Sequence, residues 1–307
     1  MANILVVGSM NMDIVTQVDR HPIPGETVQG HGTRFYAGGK GANQAVAAAR
    51  SGASVNMAGG LGDDFFGHEI RHRLDEARIG LEHVVNKPIM TGMALITVDH
   101  RGENRIILSP GANGAYGAED VASLELSGYD AILLQNEIPG GANRAVLEKA
   151  NNAGIPVFAN PAPVAGFERQ QLASIHFLIL NEIEAEALTG VKIEDDTQAR
   201  QACGEILKQG ARNVIVTLGD KGSLYMESGG LTIATPACPV EAVDTTAAGD
   251  TFIGAFVSKY LSGHGTEYCL RYATAASALA VSSYGAQSSI PEEAQVLDFM
   301  TENGDLR

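Results

Sequence analysis

Hydrophobic and polar positions follow two rhythms along this chain. Short runs with no polar alternation recur at Ile4–Val7, Ala131–Leu134, Val157–Ala159, Phe177–Leu180 and Val214–Thr217, with a further strand expected at Val55–Ala58. Uninterrupted apolar runs of this length mark strands covered on both faces. After Gly111 most of them are separated by helical stretches, which predicts an α/β fold: a doubly wound, mainly parallel sheet flanked by helices. A second set, Ile14–Val18, Thr27–Phe35, Gly92–Val98 and Arg105–Leu108, alternates or carries β-branched residues amid turn signals such as Pro24-Gly25 and His100-Arg101-Gly102. These read as antiparallel strands outside the main sheet. The two excursions that carry them, near 13–36 and 90–109, are expected to form a small accessory sheet. Asp64–Ala77 reads as an amphipathic helix and Gly38–Arg50 as a glycine-rich turn entering an alanine-rich one. Tyr225–Met226 and Leu231–Ile233 read as a hairpin, and the stretch from Thr251 to about Met300 as mostly helix. No repeat or long linker divides the chain, so residues 1–307 are expected to form a single domain.

Composition narrows this picture. The 307 residues, 45% hydrophobic with 36 glycines, suit a globular α/β enzyme. A formal net charge of −15 argues against nucleic acid or an anionic membrane as the main partner. ATP remains compatible, provided local donors and a divalent cation outweigh the global field. Cys203, Cys238 and Cys269 are widely spaced and form no CxxC pair, which reads as reduced thiols in a cytosolic protein. The N-terminus enters a strand at once without a basic leader, and no apolar run approaches the roughly 20 residues of a membrane span. A soluble, cytoplasmic protein is expected.

The stretch AVDTTAAGDTFIGAFV at 242–257 carries the sharpest chemistry. It passes through a small-residue corner, Ala247-Ala248-Gly249, to Asp250, and then into an almost wholly apolar helical run. The free amides of a helix's first turn attract anions, and small residues allow close approach. Asp250 there either caps the helix or takes a proton from a hydroxyl while the amides hold a phosphate. Ala37–Asn43, AGGKGAN, offers Lys40 and Asn43 behind flexible glycines, but it lacks Walker A spacing. Asn11 and Asp13 in GSMNMD, Glu137 after AILLQN, and Asn181 with Glu184 after FLIL all follow strand ends, where ligands bind open parallel sheets. Each is equally a turn or cap residue. Thr217–Gly222, TLGDKG, is a strand-end turn able to wrap a nucleotide. His68–His72 satisfies the HExxH pattern of zinc proteases. At about 100° per residue, however, both histidines lie about 160° from Ile70 and face solvent, so the zinc reading is rejected.

Taken in order, GSMNMD, PGETV, AGGKGANQAVAAARSGA, GDDFFG, NEIEAE, TLGDKG and AVDTTAAGDTFIGAF resemble the ribokinase-like carbohydrate kinase family over essentially the whole chain. The resemblance implies the same α/β fold with a small β-sheet lid. It also implies ATP-dependent phosphorylation of the primary hydroxyl of D-ribose, or of a related sugar such as 2-deoxyribose or a ketohexose. A non-catalytic sugar-binding protein on this fold is the alternative from another class.

By position, the resemblance makes Asp250 the base and the amides of Ala247, Ala248 and Gly249 an anion hole. Asn11, Asp13, Gly39, Lys40, Asn43 and Glu137 would hold the sugar. Asn181 and Glu184 would handle Mg²⁺ and phosphate through water, and Thr217, Gly219, Asp220, Lys221 and Gly222 would line the nucleotide. Thr274 stands where many members carry a His near the adenine. A monovalent cation, K⁺ in most members, would sit by Asp244, Thr246, Ala280, Ser283, Gly285 and Ser289. Met93, Leu95 and Ile107 would cover the sugar from the lid, and paired lids would give a homodimer.

Overall fold

The computed structural model describes residues 1–304, so the last three positions of the expected single domain lie outside it. Nine strands form the main sheet: β1 (Asn3–Val7), β4 (Ser54–Gly62), β5 (Gly80–Lys87), β8 (Ala131–Gln135), β9 (Val157–Asn160), β10 (Phe177–Asn181), β11 (Asn213–Thr217), β12 (Ser223–Glu227) and β13 (Thr232–Thr235). Their spatial order is β13-β12-β11-β10-β9-β8-β1-β4-β5. All neighbours are parallel except the terminal hairpin, where β12 runs antiparallel to both β11 and β13. The doubly wound expectation therefore holds.

The strand β5 was not anticipated. Its alternating Gly-Leu-Glu-His-Val-Val lies on the half-buried edge of the sheet and lacks the continuous apolar signal of the inner strands.

Alternation through the inner strands builds two cores. Ile4 and Val6 of β1 point into one layer, Leu5 and Val7 into the other. The first layer holds α1 (Lys40–Arg50), α2 (Phe65–Glu76), α8 (Ala248–Leu261), α9 (Thr266–Val281) and α10 (Glu293–Glu302). The second holds α5 (Gly140–Ala153), α6 (Glu182–Thr189) and α7 (Asp196–Lys208), with the short α3 (Gly111–Gly114) and α4 (Ala118–Ala122) nearby. Helix α8 is buried along almost its whole length, Asp250 through Lys259, as its all-round apolar pattern predicts. It crosses α1 at Gly254. A Cβ there would lie 2.5 Å from the Gln44 carbonyl oxygen and 2.6 Å from Ala47 Cβ, so the two backbones meet only because that side chain is absent.

The accessory sheet, order β3-β2-β6-β7, comprises β2 (Asn11–Val18), β3 (Gly30–Gly38), β6 (Gly92–Val98) and β7 (Asn104–Ser109). Two corrections arise here. Both hairpins are antiparallel, but their first strands, β2 and β6, pair in parallel. Register then sets the faces: Asp13 aligns with Ala94, Leu108 and Tyr36, whereas Ile14 aligns with Leu95, Ile107 and Phe35. Paired residues share a face and neighbours alternate. Met93, Leu95 and Ile107 therefore lie opposite Asp13 and do not cover the ligand side. Ala94, Ile96, Ile106 and Leu108 are among the apolar residues on the Asp13 face, with Val15 and Val98. The opposite face leans on α2, where Phe35 meets Phe66 at 5.8 Å between ring centroids.

Within α2, Ile70 and Leu74 are fully buried, while His68 and His72 are exposed beside Asp63 and Glu76. No group of three or more His, Cys, Asp or Glu side chains that could hold a metal ion occurs among the described residues. Nor is any described helix long and apolar enough to cross a membrane.

Candidate active site

The polar residues flagged at strand ends converge along one edge of the sheet. Asp250 is the third residue of α8, and its side chain does not cap the helix. The capping alternative therefore gives way to another arrangement. The Asp250 carboxylate is 8% exposed and accepts Asn43 Nδ2 at 3.0 Å on Oδ2 and Gln44 Nε2 at 2.9 Å on Oδ1. Two of its four lone-pair directions are thus taken, which leaves acceptor capacity for a hydroxyl proton. The corner before it is strained: Ala247 sits at φ 60°, ψ 8°, a left-handed conformation costly for a residue with a Cβ. That twist turns first-turn amides toward the cleft. The Ala248 N–H lies 3.3 Å from Thr245 O, whereas those of Ala247 and Gly249 have no acceptor among the described residues.

A cleft of about 190 Å³ opens in front of this corner. Lys40, Asn181, Glu184 and Thr217 line it together with residues 247–250. The Asp250 carboxylate raises the pKa of Lys40 against the cost of burial, with Glu137 and Glu184 adding to the effect, so its ammonium is retained. Asn181 and Glu184 do cap α6. Glu184 Oε2 accepts Asn181 N at 3.0 Å and Asn160 Nδ2 at 3.1 Å, while Oε1 accepts Asn181 Nδ2 at 3.0 Å. With both oxygens so engaged, this carboxylate suits a Mg²⁺ ion reached through water, the coordination that small cation favours.

A second set of polar residues gathers where the accessory sheet meets the main one, and the Glu137 and Asp250 charges act on both Lys40 and Asp13. Asn11 is clamped by Asn113, whose Nδ2 donates to Asn11 Oδ1 at 2.7 Å and to Met10 O at 3.0 Å. Burial, then the Glu137 and Asp250 charges, push Asp13 up to about 7. Glu137 accepts Ser9 Oγ at 2.5 Å and Lys40 N at 3.2 Å. Gly39, at φ 89°, turns the chain from β3 into α1. Asn43 Oδ1 is buried without a partner among the described residues, an acceptor a sugar hydroxyl would satisfy.

The remaining sites are more dispersed. Gly219, Asp220, Lys221 and Gly222 form a turn just past Thr217, outside the cleft wall, and Lys221 Nζ is engaged by Glu194 O at 2.8 Å. Thr274 is buried on α9 with its hydroxyl unpartnered among the described residues. Asp244 joins two loops: Oδ1 accepts Thr246 N at 2.9 Å and Oγ1 at 2.6 Å, and Oδ2 accepts Gly285 N at 3.0 Å. Burial opposes ionisation of Asp244, but those bonds outweigh it and lower its pKa. Ala280 lies in the last turn of α9, Ser283 follows that helix, and Ser289 closes a short 3-10 turn, where its Oγ donates to Ala286 O at 2.9 Å. This oxygen-rich donor set suits a hard cation.

Sequence reasoning missed Gln44, Gln135, Asn160 and Asn113. The first was within reach, because Lys40, Asn43 and Gln44 stand at i, i+3 and i+4 and share a helix face.

Comparison with known proteins agrees with this geometry. The pfkB family carbohydrate kinase model matches residues 1–293. The ribokinase of Haemophilus influenzae is 38% identical over 298 residues, covering 96% of this chain and 97% of its own. The crystal structure of Thermotoga maritima ribokinase superposes with a TM-score of 0.89 at 38% identity, covering 98% and 100% of the two chains. Arabidopsis thaliana ribokinase, solved in complex with ribose and ATP, gives a TM-score of 0.88 at 35% identity over 98% and 99%.

Proposed function

The chain belongs to the pfkB family of carbohydrate kinases, and we propose that it transfers the γ-phosphoryl group of ATP to the primary hydroxyl of D-ribose, giving D-ribose 5-phosphate and ADP. One observation carries this reading: a buried carboxylate, held by two amides, sits in the first turn of α8 beside the cleft that Lys40, Asn181, Glu184 and Thr217 line. A pure sugar-binding protein has no use for that base.

Asn11, Asp13, Gly39, Lys40, Asn43 and Glu137 orient the sugar so that its primary hydroxyl reaches Asp250. Asp250 accepts the hydroxyl proton as the sugar oxygen bonds to the γ-phosphorus, and the bond to the β–γ bridging oxygen breaks to release ADP. The amides of the 247–249 corner and the Lys40 ammonium stabilise charge on the transferring group, the dominant contribution in phosphoryl transfer. Asn181 and Glu184 would hold Mg²⁺ through water, which would supply neutralisation of the phosphate charge. Thr217 and the turn from Gly219 through Asp220 and Lys221 to Gly222 take the nucleotide, with Thr274 toward its base. Asp244, Thr246, Ala280, Ser283, Gly285 and Ser289 would hold K⁺, which would fix the shape of the corner without touching substrate.

The whole chain acts as one ribokinase-like domain with a lid. The exposed apolar Ile106 and Leu108 on the lid's Asp13 face support pairing of two lids in a homodimer, which would also cover sheet edges. Separated cysteines suit the reducing cytoplasm.

ADP release from ATP and Mg²⁺ with ribose, 2-deoxyribose and ketohexoses, with and without K⁺, tests the proposal beside Asp250→Asn. Turnover favouring ribose and reduced about 10²–10⁴-fold in the variant is expected. Sugar-independent ADP release, or an unimpaired variant, would refute it.

A further inference from the structure

Between the sugar and phosphate compartments runs a chain of buried, uncharged amides that the mechanism above does not use. Gln44 is fully buried, Gln135 is 2% exposed and Asn160 is 4% exposed. Gln135 Nε2 donates to Gln44 Oε1 at 2.6 Å. That bond decides which end of the Gln44 amide faces Asp250, because its oxygen is taken and only its nitrogen remains. Gln44 Nε2 accordingly donates to Asp250 Oδ1 at 2.9 Å and reaches Asn160 Oδ1 at 3.5 Å. Asn160 in turn gives Nδ2 to Ile179 O at 2.9 Å and to Glu184 Oε2 at 3.1 Å.

We infer that Gln44 is a positioning residue for phosphoryl transfer, oriented by Gln135, and that it aims the Asp250 carboxylate while Asn160 links it to the Glu184 end of the cleft. The inference rests on Asp250 being the base. A carboxylate held by Asn43 alone could pivot about its Cβ–Cγ bond. A second donor on the other oxygen removes that freedom, so the remaining lone pairs stay aimed at the hydroxyl. None of the three amides titrates, so the relay does not depend on pH and cannot leak the accepted proton.

The relay predicts a kinetic signature distinct from a loss of folding. Gln44→Met keeps the volume and removes both hydrogen-bonding ends. It should lower kcat about tenfold to hundredfold, the range for losing a hydrogen bond to a charged group, with the KM for ribose and for ATP moving less than about threefold. Gln135→Met should lower kcat in the same direction, and the double variant should be no worse than Gln44→Met alone. The deciding arm is Asp250→Asn, assayed with radiolabelled ATP at high enzyme concentration. If Gln44 acts through the base, adding Gln44→Met to Asp250→Asn should change turnover less than threefold.

A thermal melt accompanies each variant. If Gln44→Met does not fold, the Gln44→Met/Gln135→Met pair, which leaves no orphaned amide between them, takes its place in every arm. Equal losses with and without Asp250, a loss confined to KM, or undiminished kcat in a folded variant would each overturn the inference. Undiminished turnover in Asp250→Asn alone would instead remove the base assignment on which the inference stands.

Discussion

Replacing Asp13 by Asn should make the ligand-free protein more heat-stable at alkaline pH while damaging sugar affinity. Burial and the neighbouring Glu137 and Asp250 charges push the Asp13 carboxyl from 3.8 up to about 7. The shift is upward, so the folded state binds more protons than the unfolded state between those values. Stability therefore falls as pH rises through that window, and above pH 7 the full cost is present. Linkage gives a cost of about 2 kcal/mol at pH 5 and about 4 kcal/mol at pH 8, a difference of about 2–3 kcal/mol. Asp13 is only partly buried, and water access reduces the usable difference to about 1 kcal/mol.

The assay is thermal unfolding of the wild type and Asp13→Asn at pH 5 and pH 8, without sugar. Titrating groups that do not interact with Asp13 are common to both proteins and cancel in the double difference. For a chain of this length about 1 kcal/mol corresponds to roughly 2 °C, so the variant's advantage in Tm should be about 2 °C larger at pH 8 than at pH 5. A difference that stays constant with pH, or grows toward acid, would refute the argument that Asp13 is a carboxylate ionised at a cost. Ribose affinity should fall at least tenfold in the same variant, because in the proposed function the strained carboxylate would bond the sugar hydroxyls.

Three further outcomes are expected. Gly254→Ala would push α8 off α1, costing about 1–3 kcal/mol of stability, and would lower kcat by lengthening the Asn43 and Gln44 bonds to Asp250; chemical denaturation beside steady-state kinetics checks both. Lys40→Met would remove the cation that faces Asp250, Glu137 and Glu184, lowering kcat/KM by about 10²-fold or more with a rise in the KM for ATP, read from initial rates. Asp244→Ala would release Thr246 and Gly285, and should raise the K⁺ concentration for half-maximal activity several-fold while costing about 1–3 kcal/mol of stability by denaturant titration.

How much of this was legible in the sequence depended on range. The inner strands announced themselves because burial on both faces demands continuous apolar runs, and α8 did so because it is apolar all round. The role of Asp250 was not legible locally. A carboxylate in a helix's first turn reads as a cap until its partners are known, and Asn43 and Gln44 lie 207 and 206 positions away. Asn160 and Gln135 are strand-end residues like those singled out, but without charge they carried no chemical signal of their own. The edge strand β5 was lost for the opposite reason, since a half-buried strand needs few apolar residues.

The parallel pairing of β2 with β6 follows from the main sheet, although turn signals alone cannot supply it. β2 continues directly from β1 and β6 from β5, and β1 and β5 run in the same direction within one sheet. Both hairpins therefore leave the same edge heading the same way, so their first strands can meet only in parallel. In this parallel pairing Asn11 stands opposite Gly92 and Asp13 opposite Ala94. The polar residues that would grip the sugar thus come from one excursion, and the small residues that leave room for it come from the other. Neither hairpin alone makes the compartment. The joined β2–β6 pair does, at the edge where the Asp250 carboxylate waits.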